Sequence, residues 1–298
     1  MSERHPHSHE GSDRARPFGF GIVLNVAYII VEAAAGILVN STALLADAGH
    51  NLSDVLGLSL SWGATRLAKT PSTNDRTYGL RKTTILAPLL NALILLIAVG
   101  AIAVEAFQKI IQPESVGETT MMIVAGVGVV INGVTALLFV KGRKEDININ
   151  GAFLHMASDA GVSLGVVLTA LLIEVTGLSW LDPVVSLLIV TVITIGAWRL
   201  LRDSFQLSVD AVPRDIPLDA VKQYLTGLEG VQAVHDLHVW AMSSTETALT
   251  AHLVMPSQNY ADRDQFLDGV CNELHNKFGI GHSTIQIEKG TFECSLQR

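Results

Sequence analysis

Six long apolar runs fill the chain up to Leu201, each near the ~20 residues needed to cross ~30 Å of hydrocarbon. They fall at Pro17–Val39, Thr42–Leu67, Thr83–Ile110, Thr119–Val140, Asn150–Val175 and Trp180–Leu201. The breaks carry turn chemistry: Asn40-Ser41, Lys69-Thr70-Pro71-Ser72, Gln112-Pro113-Glu114, Lys141-Gly142-Arg143-Lys144 and Gly177-Leu178-Ser179. A run such as Thr119–Val140 is uncharged on every face, a pattern that a water-soluble bundle does not repeat. The expectation is a membrane all-α six-helix transmembrane bundle.

From Gln206 the pattern changes. Pro213 and Pro217 mark a linker, a helix follows at Leu218–Leu228, and alternating polarity predicts strands at Val231–Met242 and Glu246–Met255. A helix at Asp262–Phe278 and a strand at Ser283–Glu288 complete the order αββαβ, a small α+β layer with helices on one face of a mixed sheet. The division expected is a polar tail at 1–16, a six-span domain at 17–205 and a second domain at 206–298. The tail carries His5, His7 and His9 and is expected to be disordered. A loose metal-collecting segment and a plain solvated leader both fit it.

Composition agrees with a membrane protein that carries a modest soluble part: 49% hydrophobic residues, 16% charged and a mean hydropathy of +0.40. The net charge of −8, with no basic patch, argues against a nucleic-acid partner. The two cysteines, Cys271 and Cys294, form no framework, so the C-terminal part reads as reduced and cytoplasmic. The first apolar run is long enough to span and reads as retained rather than as a cleaved leader. Lys and Arg gather before the first run, between the second and third, between the fourth and fifth, and at the end of the sixth. The positive-inside rule then places both termini in the cytoplasm.

The chemistry lies inside the second and fifth runs. His50-Asn51-Leu52-Ser53-Asp54 and His155-Met156-Ala157-Ser158-Asp159 both read H-x-x-S-D. In a helix, residues four apart share a face, so each motif offers one imidazole and one carboxylate at one point. A carboxylate at bilayer depth needs a partner, and two such half-sites supply the four ligands that tetrahedral zinc takes. Asp47, three residues before His50, is a carboxylate that could brace the ligands from behind or line an access path. Asn25, Asn91 and Asn132 read as interhelical hydrogen bonders, and Glu32 and Glu105 as lining a hydrated cavity without ligating.

Ala46-Asp47-Ala48-Gly49-His50-Asn51-Leu52-Ser53-Asp54, the second H-x-x-S-D, Tyr78-Gly79-Leu80-Arg81-Lys82 and Val234-His235-Asp236-Leu237-His238-Val239-Trp240 together resemble the cation diffusion facilitator family, nearest its bacterial zinc and cadmium exporters. The resemblance extends over nearly the whole chain. It implies a homodimer in the lipid bilayer of a bacterial inner membrane, with six spans per protomer, a ferredoxin-like cytoplasmic domain that binds metal and dimerises, and metal/proton exchange. It makes His50, Asp54, His155 and Asp159 the transport site and puts Lys82 and Asp210 in a charge cluster near the dimer interface. It offers His235, His252, His282, Glu288 and Cys294 as cytoplasmic ligands. Strand parity supports part of that set: His252 alternates against Leu249, Ala251, Leu253 and Met255, and His282 and Glu288 share the face opposite Ile285 and Ile287. His235 shares parity with the apolar Val231, Ala233, Leu237 and Val239, whereas His238 lies on the other face. Which of the two ligates stays open, and either a bulge or a site at the strand's end would reconcile His235.

Two histidines and two carboxylates suit Zn²⁺, with Cd²⁺ and Co²⁺ as alternatives. Imidazole ligates only when deprotonated, so metal and protons compete. The function expected is a proton-coupled zinc antiporter, a secondary active transporter rather than an enzyme. A membrane zinc sensor that does not transport and an intramembrane metallohydrolase are the alternatives. The hydrolase would need an open coordination position and a general base.

Overall fold

The computed structural model describes residues 15–140, 147–256 and 263–290. Of the tail expected at 1–16, residues 1–14 with their histidines lie outside the described residues, as does Cys294, while Ala15 and Arg16 belong to the first helix. Six long helices come first: α1 (Ala15–Leu38), α2 (Thr42–Ala68), α3 (Thr83–Ile111), α4 (Glu118–Phe139), α5 (Ile147–Thr176) and α6 (Leu181–Ser208). Of these α3, α4, α6 and the Phe153–Thr176 stretch of α5 are long and apolar enough to cross a bilayer. The described apolar stretch of α1, Val26–Leu38, is shorter, and α2 is interrupted by its own polar motif. The helical part is a membrane domain.

Two units divide the chain: residues 1–58 with 92–198, and residues 59–91 with 199–298. In the first, small side chains let the helices approach closely. Ala35 of α1, Ala43 and Leu44 of α2, Met121 and Ala125 of α4, and Val166 and Ala170 of α5 form one buried cluster. Ala46 of α2, Leu95 and Val99 of α3, and Val190, Ile193 and Ala197 of α6 form another. Two sides of α2 are therefore occupied by neighbours, with α5 among them.

The N-terminus of α2 is anchored by a carboxylate from another helix. Asp182, in the first turn of α6 and fully buried, accepts hydrogen bonds from Ser41 Oγ (2.5 Å), Thr42 N (2.8 Å), Thr42 Oγ1 (2.8 Å) and Ala43 N (3.3 Å). These bonds satisfy amide groups that the helix leaves unpaired, and the negative charge sits where the helix dipole favours it. Ser186 Oγ adds a bond of 3.1 Å to Thr42 O.

In the second unit α7 (Leu218–Thr226), β1 (Ala233–Ala241), β2 (Thr247–Val254), α8 (Arg263–Phe278) and β3 (Ile280–Glu288) give the order αββαβ. The sheet runs β1-β2-β3, with β1 antiparallel and β3 parallel to β2. Leu249, Ala251 and Leu253 alternate into a core shared with Val221 and Leu225 of α7 and Val270 and Leu274 of α8, so both helices cover one face. β3 starts at Ile280 rather than at the expected Ser283, because only Gly279, at φ +70°, makes the turn and Gly281 is already in the strand. The pairing of β1 shifts between His235 and His238, where Asp236 sits at φ +50°. That bulge flips the parity of the strand.

Candidate metal centres

His50 and Asp54 occupy one face of α2, and His155 and Asp159 one face of α5. The two pairs meet crosswise. His50 Nε2 lies 3.9 Å from Asp54 Oδ2 and 3.6 Å from Asp159 Oδ1. His155 Nε2 lies 3.4 Å from Asp54 Oδ2 and 3.7 Å from Asp159 Oδ2. Ligand atoms around a tetrahedral zinc at about 2.0–2.1 Å stand about 3.3 Å apart, so each of these contacts is somewhat longer than a metal-filled shell requires, and His50 and His155 approach different oxygens of Asp159. Asp54, His155 and Asp159 form the tighter core, with ligand atoms all within 4.8 Å of one another. The His50 ring meets that of His155 edge-on at 6.2 Å. Asp54 Oδ2 and His50 Nδ1 are buried without a hydrogen-bond partner among the described residues. A buried carboxylate oxygen near two imidazoles and hydrogen-bonded to neither has the chemistry to seat a cation.

Exposure falls along the motif. The side chains of His155 and Asp54 are 43% and 34% exposed, whereas that of Asp159 is 3% exposed. Asp47 lies past the ligands and is wholly buried. It accepts a bond from Ser163 Oγ (2.8 Å), one turn beyond Asp159 on α5, and faces Asn51 Nδ2 at 3.5 Å. It is not among the atoms that converge on the seat.

A second cluster lies on the sheet. The bulge turns His235 onto the face of its cross-strand partner His252. Glu288, at the end of β3, reaches both: Oε2 is 3.0 Å from His235 Nε2, and Oε1 is 2.9 Å from His252 Nδ1. These three groups also lie within 4.8 Å of one another. Asp236 stands beside them, 3.0 Å from His238 Nε2 and 3.5 Å from His252 Nε2. The hydrogen bond from His238 holds its carboxyl below the usual range. His282 is not part of this group. It pairs with Ala248 six residues along β3 from Glu288, about 20 Å at the rise of a strand, and its ring packs against Tyr78 at 5.8 Å. Lys82 Nζ lies 2.6 Å from Asp210 Oδ1, and Arg81 lies 2.7 Å from Glu246.

Sequence reading passed over Ser163, Tyr28 and Asp182. Ser163 was findable, since it continues the i, i+4 row of His155 and Asp159. Tyr28 was findable too, since it stands one turn before Glu32 on α1; Asp182 carries no local signal, because its partners are remote in the chain.

A membrane domain in which Asp54, His155 and Asp159 converge within 4.8 Å with His50 beside them, in a chain whose α/β domain has its own histidine cluster, has the donor chemistry of a metal-handling membrane protein. The chain belongs to the cation efflux family: residues 20–207 match the cation efflux transmembrane domain and 213–290 the cytoplasmic domain of cation efflux proteins. It is a metal cation efflux transporter and not an enzyme. It is 33% identical over 287 residues to a cadmium, cobalt and zinc/H(+)-K(+) antiporter of Bacillus velezensis, covering 95% of this chain and 91% of that one. It is 33% identical to the metal cation efflux system protein CzcD of Cupriavidus metallidurans, covering 97% of this chain and 90% of the relative. The zinc transporter ZitB of Escherichia coli is 32% identical, with 95% and 92% covered. Among solved structures, a metal-bound C-terminal domain of the Cupriavidus CzcD is 34% identical over 24% of this chain and 99% of that chain, with a TM-score of 0.23.

Proposed function

We propose that the protein exports Zn²⁺ from the cytosol in exchange for protons, with Cd²⁺ and Co²⁺ as further substrates, through His50, Asp54, His155 and Asp159. The observation that carries this reading is the crosswise approach of the two pairs at 3.4–3.9 Å. Zn²⁺ entering the seat displaces protons from the imidazoles. A rising proton concentration reverses that occupancy, so the same four groups bind metal on one side and release it on the other.

The bilayer part is 17–205 with six spans, and 206–298 is a ferredoxin-like cytoplasmic domain. Both termini are cytoplasmic, in a bacterial inner membrane, and the working unit is a homodimer. Lys82 and Asp210 form a charge pair near the dimer contact. His235, His252 and Glu288 hold a regulatory Zn²⁺ that brings two cytoplasmic domains together when cytosolic zinc is high. The names of the relatives support the metals and the proton coupling, and the order αββαβ supports the domain assignment. Protons need no dedicated carrier beyond the imidazoles.

Purified protein in proteoliposomes under an imposed pH gradient tests the reading. Zinc uptake coupled to proton release is expected, and Asp54→Ala or His155→Ala abolishes both. Undiminished flux in either variant refutes the site.

A further inference from the structure

The polar residues between α2 and α5 form a ladder. Asp54 faces His155 and His50 faces Asp159; one turn on, Asp47 faces Ser163. Exposure falls along it, so the seat is reached from the end where α2 finishes and α5 begins. Beyond the last rung the path is closed. Glu32 of α1 is fully buried. It accepts a bond from Tyr28 Oη at 2.7 Å and faces Asn51 Nδ2 at 3.4 Å, while the same amide faces Asp47 at 3.5 Å. Asn51 directly follows His50. Tyr28 in turn reaches α4, where its hydroxyl occupies the space of the side chain that Gly128 lacks: a Cβ built there falls 2.1 Å from Tyr28 Oη and 3.0 Å from Ser163 Oγ.

A layer from four helices thus seals the bundle directly behind the metal seat. Apart from Gly128 and the Tyr28 ring, the side chains that meet there are polar: Glu32, Asp47, Asn51 and Ser163. A plug whose only task was to exclude water would be built from leucines, since burying two carboxyl groups is costly. Acids and amides are retained where a contact must form in one state and part in another, because each partner is satisfied by water once the layer opens.

We infer that Glu32, with Tyr28, is a positioning residue of the transport cycle: it holds the far side of the pathway shut while metal loads, and its release from Tyr28 and Asn51 opens that side. The inference rests on the proposed transport site. Glu32 touches no ligand atom and acts through Asn51 and Asp47, so its removal affects passage rather than loading.

Full-length protein in proteoliposomes tests this, with Cd²⁺ binding and Zn²⁺ flux measured on the same preparations. Glu32→Gln is expected to lower maximal flux by about 10–100-fold, the range for residues that act through a neighbour, while the half-saturating zinc concentration and the Cd²⁺ affinity stay within about twofold. Glu32→Asp recovers part of the flux, and Tyr28→Phe shows the same split in milder form. Wild-type flux in Glu32→Gln overturns the inference. Flux and Cd²⁺ binding lost together also overturn it, since Glu32 would then build the site rather than gate it. Asp54→Ala, run alongside, separates the two readings: Cd²⁺ binding unaffected by Asp54→Ala refutes the transport site itself.

Discussion

At single positions the structure sets two conditions that substitution can check. Asp236 is exposed on its bulge, and its carboxyl is depressed chiefly by the hydrogen bond from His238. A depressed carboxyl stabilises the fold above its unfolded value, and the contribution is lost as pH falls through the folded value. In His238→Ala the titration of Asp236 is expected to move up toward the ordinary ~3.9, as read by carboxyl ¹³C NMR. An unmoved titration shows that the bond does not set it. Gly128 is the second case. Gly128→Ala drives a methyl into Tyr28 and is expected to lower stability by about 1–3 kcal/mol, the range for overpacking. Adding Tyr28→Phe removes the atom nearest the methyl, so a thermal-melting cycle should show the two changes to be non-additive. Strict additivity would mean that the methyl is accommodated elsewhere.

At the scale of elements, what could be read from the chain was whatever repeats locally. H-x-x-S-D places both ligand pairs on helix faces without knowledge of any partner, and the order αββαβ follows from periodicity and turns. Three features were not legible, each for a physical reason. The parity of β1 breaks at a bulge that depends on Asp236 adopting φ +50°, a conformation that no local pattern requires. α6 continues to Ser208, past the end of its apolar run at Leu201, because a helix persists into polar sequence when nothing breaks it. Asp182 stabilises α2 from more than a hundred residues away. Asp182→Ala removes an N-terminal cap and leaves buried donors unpaired. A capping loss of about 0.5–2 kcal/mol is expected, with more added by the unpaired donors, measurable as a lower melting temperature in detergent. Asp182→Asn keeps acceptor geometry without charge and is expected to fall between wild type and Ala. Equal melting of all three would show that α2 holds its position through packing alone.

For the whole molecule, the two clusters lie in separate units of the chain and share no residue: His50, Asp54, His155 and Asp159 in one, His235, His252 and Glu288 in the other. Metal affinities of sites with no common ligand are independent except through a global change of state. Equilibrium binding of Cd²⁺ to the full chain is therefore expected to resolve into two classes. His155→Ala removes one, His252→Ala removes the other, and the double variant retains neither. Both classes weaken as pH falls, since an imidazole that has taken up a proton cannot ligate. The sign is fixed by chemistry, because protonation fills the lone pair that the metal needs. Flux distinguishes the classes further. His252→Ala is expected to keep transport at saturating zinc and to raise the zinc concentration at which transport is half-maximal, whereas His155→Ala abolishes it at any concentration. Loss of saturated flux in His252→Ala would move the cytoplasmic cluster from regulation into the transport path. That outcome would require the ion to pass through both sites in turn.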